Sequence, residues 1–193
     1  MKGKLVLVLG GSRSGKSEFA ESIAGQMGGA VTYIATTAVR DPEMADRVKI
    51  HRARRPQDWG TVEEEKDVSR VVSNGREGEV FLLDCVTVWI TNLILDDQLT
   101  EQDLKAGEKE RYVMEKVFQL ADAVENGAHL ILVSNEVGLG LVPEYPLGRL
   151  FRDLAGKVNQ VLAARADQVY FVVAGLPLEI KSDGKIRSGV ISH

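Results

Sequence analysis

One run of residues in this chain has the types and spacing that suit phosphate binding. Gly10–Ser17 reads Gly-Gly-Ser-Arg-Ser-Gly-Lys-Ser, and it lies between the apolar run Leu5–Leu9 and the helix-like segment Glu18–Ala24. A strand that ends in a glycine-rich turn and continues into a helix directs backbone N–H groups and the positive end of the helix dipole at one point. Lys16 would reach the β- and γ-phosphates, and Ser17 would offer its hydroxyl to Mg²⁺. We therefore predict a nucleoside triphosphate site whose phosphates are contacted by Gly10, Gly11, Ser12, Arg13, Ser14, Gly15, Lys16 and Ser17.

Two acidic residues follow apolar runs that read as buried strands. Asp84 ends the run Val80–Leu83, where a carboxylate beside a phosphate loop can hold Mg²⁺ or its waters, although an acidic residue that merely starts a loop gives the same pattern. Glu136 follows the run Leu130–Val133 and could position a nucleophile or a magnesium-bound water. The alternative is that Asn135 and Glu136 only tie down the following loop. Both interpretations of each site stay open on the sequence alone.

A basic segment between Arg40 and Pro56 contains a single histidine, His51. One interpretation is a solvent-exposed basic helix face. The other is that neighbouring cations lower the pKa of His51 and keep its imidazole neutral and nucleophilic, while they also neutralise the phosphates of a bound nucleotide. A histidine that displaces pyrophosphate would form a covalent nucleotidyl intermediate and divide one transfer into two steps.

Short runs rich in Val, Ile and Leu alternate with helix-like segments along the chain. Runs without polar alternation suit strands that are buried on both faces of a parallel sheet, so the pattern predicts an α/β fold with ligands at the carboxyl ends of the strands. The predicted strands are Leu5–Leu9, Ala30–Ala35, Val80–Leu83, Leu130–Val133 and Val169–Val173. The predicted helices are Lys16–Met27, Pro42–Ala53 with Asp41 as N-cap, Val86–Leu95, Gln102–Glu125 and Leu147–Ala166. A hairpin or extended tail is predicted from Leu178–Ile180 and Ile186–Ile191 about Ser182-Asp183-Gly184.

Composition limits the class of protein. The 193 residues suit one domain, and the formal net charge of −4 argues against a general nucleic-acid binder. The single cysteine, Cys85, cannot form an internal disulfide. The apolar run at Leu5–Leu9 is too short for a signal peptide, and no stretch approaches the ~18–20 apolar residues of a membrane span. We therefore expect a cytoplasmic protein that does not span a membrane.

Several motifs, taken in order, resemble one enzyme family. The phosphate loop is followed by Tyr33-Ile34-Ala35-Thr36, and then by Asp46-Arg47-Val48-Lys49-Ile50-His51 with Arg55-Pro56. Further motifs are Trp59 with Thr61-Val62-Glu63, Leu83-Asp84-Cys85-Val86-Thr87 with Thr91-Asn92-Leu93, Ser134-Asn135-Glu136-Val137-Gly138, and the stretch from Phe151 to Gln160. Together they resemble the bifunctional adenosylcobinamide kinase/adenosylcobinamide-phosphate guanylyltransferase of cobalamin biosynthesis. The resemblance runs from about Leu5 to Lys181.

The resemblance implies two reactions and a set of site residues. ATP or GTP would phosphorylate the aminopropanol hydroxyl of adenosylcobinamide, and GMP would pass from GTP through a guanylylated histidine, which His51 matches, to adenosylcobinamide phosphate with release of pyrophosphate. Catalytic roles would fall to His51 and Lys16, and Mg²⁺ would be held by Ser17 and Asp84. Beyond the phosphate loop, the nucleotide would be contacted by Ala35, Thr36, Thr37, Arg52, Ala53, Arg54, Arg55, Glu63 and Asp84. The family also implies a P-loop NTPase fold with a RecA-like, mostly parallel sheet flanked by helices, and a homotrimer. On this basis residues 1–181 form a single catalytic domain, and residues 182–193 form an extension without an assigned role.

Two other functions fit the phosphate loop. One is a P-loop kinase for a small molecule that transfers only the γ-phosphoryl group and forms no covalent adduct. The other is a RecA-like ATPase or nucleotide-gated binding module acting on DNA or a partner protein, against which the short chain and its acidic balance count.

Overall fold

The computed structural model describes residues 2–37, 55–96 and 106–187. Eight strands form one sheet in the order β3-β2-β4-β5-β1-β6-β7-β8. Strands β1 to β6 are parallel to one another, whereas β7 and β8 are antiparallel to their neighbours. The strands are β1 Leu5–Gly10, β2 Val31–Ala35, β3 Gly60–Glu63, β4 Val80–Asp84, β5 His129–Asn135, β6 Gln168–Val173, β7 Leu176–Ser182 and β8 Lys185–Ile186. The α-helices of the described part are α1 Lys16–Gln26, α2 Val68–Ser73, α3 Val86–Ile94, α4 Ala106–Asp122 and α5 Pro146–Arg165, and a 3₁₀ turn spans Ala123–Asn126.

The central strands are apolar on both faces because helices cover both faces of the sheet. In β1, Leu5 and Leu7 belong to one buried cluster, whereas Val6 and Val8 belong to a second cluster on the other face. Helices α3, α4 and α5 supply most of the helical side chains of the first cluster, and α1 packs against the second. This double burial explains why the strands read as continuous apolar runs instead of alternating ones.

All five predicted strands are present, and the predicted helices of the described part are present with small shifts at their ends. The described part of the helix predicted over Gln102–Glu125 runs as α4 over Ala106–Asp122 and then tightens into the 3₁₀ turn, whereas residues 102–105 lie outside the described residues. Helix α5 starts at Pro146, since proline is well suited to the first helical position, where no N–H is needed. The predicted helix Pro42–Ala53 lies outside the described residues.

The predicted tail hairpin is confirmed where the structure describes it. Strands β7 and β8 pair across Asp183 and Gly184, and both residues have positive φ. The sequence did not predict that β7 also pairs with β6, nor did it predict β3 or α2. The sheet therefore continues through Ile186, and the division into residues 1–181 and 182–193 stays a prediction.

Candidate active site

The phosphate loop connects β1 to α1 at the carboxyl edge of the parallel strands. Lys16 is only 8% exposed, and its Nζ donates a hydrogen bond to the carbonyl oxygen of Gly11 at 3.0 Å. This contact folds the lysine side chain back over the loop. The ammonium group is thus held close to the backbone amides that the sequence predicts to bind phosphate.

Two glycines of the loop are required by its geometry. A Cβ on Gly10 would lie 2.6 Å from the carbonyl oxygen of Val172. Gly15 has a φ of +92°, and a Cβ there would lie 3.2 Å from the Cα of Gly175. Side chains at these positions would therefore collide with strand β6 or crowd the turn that follows it.

Ser14 contributes both a structural contact and a free hydroxyl. Its carbonyl oxygen accepts a hydrogen bond from the Gly175 N–H at 2.8 Å, which links the loop to the β6–β7 turn. Its Oγ is buried and has no hydrogen-bond partner among the residues that the structure describes. Since a buried hydroxyl without a partner is costly, this Oγ is a candidate contact for a polar ligand atom.

The ends of strands β2, β3 and β4 bring two predicted carboxylates to the same edge of the sheet. Ala35 at the end of β2 pairs with Glu63 on one side and with Asp84 on the other. Strand β5 lies between β4 and the phosphate-loop strand β1. Within the described ranges, the Asp84 carboxylate makes no hydrogen bond or ion pair, so its oxygens remain available to a ligand.

The hard oxygen donors of Ser17 and Asp84 suit Mg²⁺, which prefers carboxylate, hydroxyl and water oxygens. The free carboxylate of Asp84 and the unpaired Oγ of Ser14 are the observations that fit a magnesium-bound triphosphate. In the described part of the chain there is no group of three or more His, Cys, Asp or Glu residues that could hold a metal by itself. Beside these two side chains, an ion at this edge would take its remaining ligands from phosphate oxygens and water.

Arg55 is anchored beside these strand ends. Its guanidinium carbon lies 3.5 Å from the centre of the Tyr33 ring, and Arg55 and Tyr33 are 9% and 6% exposed. Burial raises the pKa of the Tyr33 hydroxyl, and the negative charge of Asp84 raises it further, whereas Arg55 lowers it. The arginine near the end of the basic segment thus packs on β2, two residues before the Ala35 that pairs with Asp84.

A hydrogen-bond network connects the residue after Asp84 to its neighbours. The Oγ1 of Thr36 donates to the Cys85 carbonyl at 3.0 Å and accepts from the Cys85 N–H at 3.2 Å. The Cys85 Sγ lies 3.1 Å from the Oγ1 of Thr87, which in turn accepts a hydrogen bond from Asn135. Burial is the main cause of the raised pKa of the Cys85 thiol, and the Asp84 charge adds to it. The Asp84–Cys85 peptide bond is cis.

The structure shows contacts of Asn135 and Glu136 that hold the loop after β5, which was one of the two alternatives left open by the sequence. Glu136 Oε1 accepts a hydrogen bond from the Gly138 N–H at 2.6 Å, and the Glu136 N–H donates to the Gly10 carbonyl. Asn135 donates to Thr87, and its own carbonyl accepts from the Asn159 side chain. These contacts favour the interpretation that Asn135 and Glu136 hold the loop in place.

The structure places most of the predicted site residues at one edge of the sheet. Those within the described ranges are Gly10 to Ser17, Ala35, Thr36, Thr37, Arg55, Glu63 and Asp84. The predictions for His51, Arg52, Ala53 and Arg54 concern residues outside the described part. Sequence reasoning gave no role to Gly175 and placed Asn92 and Asn159 only within motifs, because the contacts of these residues depend on how distant segments pack.

Comparison with known proteins gives the family. The family described as "Cobinamide kinase / cobinamide phosphate guanyltransferase" matches residues 6–180. The chain belongs to this family. It is 44% identical over 178 residues to the bifunctional adenosylcobalamin biosynthesis protein CobP of Pseudomonas aeruginosa, covering 92% of this chain and 97% of that protein. It is 43% identical over 183 residues to the bifunctional adenosylcobalamin biosynthesis protein CobU of Escherichia coli K12, covering 92% of this chain and 99% of that protein.

A solved structure from Pyrococcus horikoshii OT3 has a similar fold. The TM-score is 0.52 at 12% sequence identity, and the match covers 99% of this chain and 95% of that one. Together with the sheet order and the position of the phosphate loop, this likeness confirms the predicted mostly parallel P-loop NTPase fold. The predicted family and enzyme class, a kinase and nucleotidyltransferase, are confirmed by the family match. Within the described residues, no helix is both long and apolar enough to cross a membrane.

Proposed function

We propose that this protein phosphorylates adenosylcobinamide with ATP or GTP and then transfers GMP from GTP to adenosylcobinamide phosphate through a guanylylated His51. The observation that supports both steps best is that Arg55 packs on Tyr33 in β2, two residues before Ala35, which pairs with Asp84. Arg55, four residues after His51 in the chain, thus connects the end of the basic segment to β2. Four peptide units separate His51 from Arg55, and they can span at most about 14 Å.

In the kinase step, the chain would hold the triphosphate and orient its γ-phosphorus toward the substrate hydroxyl. The loop amides and Lys16 would bind the β- and γ-phosphates, and the unpaired Oγ of Ser14 would bind a phosphate oxygen. Ser17 and Asp84 would hold Mg²⁺. When bound, the ion supplies positive charge that stabilises the charge on the transferring group.

In the guanylyl transfer, an imidazole nitrogen of His51 would attack the α-phosphorus of GTP. A P–N bond forms, the bond from the α-phosphorus to the bridging oxygen breaks, and pyrophosphate leaves. A phosphate oxygen of adenosylcobinamide phosphate then attacks the same phosphorus and breaks the P–N bond. The products are adenosylcobinamide-GDP and free histidine, and the proton lost from His51 on attack is regained.

The chain has three histidines, which makes the choice of nucleophile testable. His129 begins β5 at the edge opposite the phosphate loop, and its Nδ1 accepts a hydrogen bond from the Lys4 N–H at 2.9 Å. His129→Gln is therefore the matched control for His51→Ala. His193 lies outside the described residues and is covered by a His193→Ala control.

The experiment is incubation with GTP and Mg²⁺ followed by mass spectrometry of the intact protein. We expect one added GMP in the unaltered protein and in both controls, and none in His51→Ala. An adduct that persists in His51→Ala would contradict the choice of nucleophile. Phosphorylation of adenosylcobinamide without any adduct in the unaltered protein would favour the alternative, a kinase that lacks guanylyltransferase activity.

A homotrimer is part of the same proposal. Several apolar side chains after β5 are strongly exposed, with Leu139 at 83% and Leu141 at 95%. Leu95, Tyr145, Leu147 and Phe151 also line part of a groove of about 220 Å³. Exposed apolar surface of this kind supports an interface with other subunits. Light scattering during size-exclusion chromatography should give the mass of three chains. A cytoplasmic location stays a prediction.

A further inference from the structure

We propose that Thr36 is a positioning residue that fixes the carboxylate of Asp84 by holding the backbone of Cys85. This inference rests on the proposed role of Asp84 at Mg²⁺. The resemblance of the sequence implies a nucleotide contact for Thr36, but the structure shows its hydroxyl already used in two hydrogen bonds to Cys85.

The geometry makes Thr36 a clamp on the chain directly after Asp84. Strands β2 and β4 are in register up to the pair of Ala35 and Asp84, where the regular ladder ends. Beyond that point, the backbone hydrogen bonds between the two strands are replaced by those of the Thr36 hydroxyl, which accepts from the N–H of Cys85 and donates to its carbonyl. Thr36 is fully buried, so water cannot take over these bonds.

The backbone of Thr36 is itself held in place. The side-chain amide of Asn92 donates to the Thr36 carbonyl at 2.7 Å and to the Glu65 carbonyl at 3.2 Å. Asn92 belongs to α3, which begins just after Cys85. The Asp84–Cys85 segment is therefore held by Thr36 directly, and Thr36 is held in turn by the helix that follows this segment. The bond to the Glu65 carbonyl also holds the backbone two residues after Glu63. Asn92 and Thr36 therefore act as one unit that sets where the strand-end carboxylates lie.

A positioning role and a direct nucleotide contact predict different results for Thr36→Val. This substitution keeps the shape of the side chain and removes the hydroxyl. If Thr36 acts through Asp84, Mn²⁺ affinity in the presence of a non-hydrolysable GTP analogue should fall by about 10- to 100-fold, as for other groups that orient a metal ligand. Affinity for the same analogue in EDTA should change by less than about twofold. A direct contact would instead weaken binding equally with and without the metal.

The controls separate this effect from a general loss of stability. Thr32 lies on the same strand near its other end, where its Oγ1 donates to Glu79 at 3.0 Å. Thr32→Val removes one threonine hydroxyl in the same way and should leave Mn²⁺ affinity unchanged. Thr36→Ser keeps the hydroxyl and should restore most of the affinity lost in Thr36→Val. Thermal unfolding establishes that each variant is folded at the assay temperature.

Mn²⁺ affinity is measured by electron paramagnetic resonance for each variant. Asp84→Asn tests the proposed metal role of Asp84, on which the positioning role of Thr36 depends. If Asp84→Asn binds Mn²⁺ as the unaltered protein does, the proposed metal role of Asp84 is wrong and the positioning role falls with it. If Asp84→Asn loses affinity but Thr36→Val does not, only the positioning role is wrong. In the double variant, Thr36→Val should add less than about twofold to the loss caused by Asp84→Asn, and a full additive loss would overturn the proposal.

Discussion

Replacing Gly15 with alanine tests how tightly the phosphate loop is packed against the β6–β7 turn. Gly15 precedes helix α1, and Gly28 follows it closely, so the two glycines flank one helix. Both have positive φ, +92° at Gly15 and +78° at Gly28. An alanine at either site must adopt the left-handed conformation, which costs roughly 1–2 kcal/mol. Gly28→Ala therefore measures the backbone strain alone, because a Cβ added at Gly28 would have no neighbouring atom within 4 Å.

At Gly15 a second cost is added. The new Cβ would lie 3.2 Å from the Cα of Gly175, and this neighbour is backbone that cannot rotate away. Overpacking of this kind costs roughly 1–3 kcal/mol. We therefore expect Gly15→Ala to lower the free energy of unfolding by about 2–5 kcal/mol, against about 1–2 kcal/mol for Gly28→Ala. For a chain of this size, the difference between the two variants corresponds to roughly 2–12 °C in Tm.

The assay is thermal unfolding of both variants together with titration of GTP. Gly28→Ala should bind GTP like the unaltered protein, whereas Gly15→Ala should lose at least about tenfold, or 1.4 kcal/mol, because the loop amides shift. Equal Tm values for the two variants would refute the contact with Gly175. Normal GTP binding by Gly15→Ala would refute the link between that contact and the shape of the loop.

Two further predictions concern buried groups near the site. Ser14→Ala removes a buried, unpaired hydroxyl, so it should raise the free energy of unfolding without nucleotide by up to ~1 kcal/mol while weakening GTP binding by about fivefold. Urea unfolding and GTP titration measure the two effects, and a variant in which stability and GTP affinity both rise or both fall would contradict the prediction. Burial raises the pKa values of Cys85 and Tyr33 above their ordinary values of 9.0 and 10.0, so in the folded protein both groups stay protonated at pH values where the unfolded chain ionises. Their contribution to stability is complete below about pH 9 and is lost as the pH rises, with a slope of about 1.4 kcal/mol per pH unit for each group. Tyr33→Phe should flatten this decline above about pH 10 in urea unfolding from about pH 8 to 11, and an unchanged slope would show that the Tyr33 hydroxyl is not buried when folded.

The sequence predicted the phosphate loop and the central strands because their signals are local and dense. The run Leu5–Leu9 leads directly into glycines whose spacing has a physical reason, and β1 is buried on both faces. Strand β3 was missed because Gly60–Glu63 is short and mostly exposed, so it carries no apolar run. Helix α2 is only six residues long and gives too little periodicity to detect.

The parts of the site that could not be predicted depend on register between distant strands. Thr36 meets Cys85 only because β2 and β4 pair so that Ala35 lies opposite Asp84. The packing of Arg55 on Tyr33 likewise joins segments that have no sequence pattern in common. Residue types predicted which groups could do chemistry, but the sheet decides which backbone atoms hold those groups in place.

The hydrogen bond from Gly175 to Ser14 has a consequence for the order in which the site forms. The phosphate loop is synthesised before the turn that braces it, which lies about 160 residues later in the chain and where Ala174 and Gly175 both have positive φ. A nascent chain that ends before this turn has the residues of the loop without the contact that shapes it. Formation of the nucleotide site thus waits for the β6–β7 turn, so the growing chain acquires its full triphosphate-binding geometry only after this turn has been synthesised.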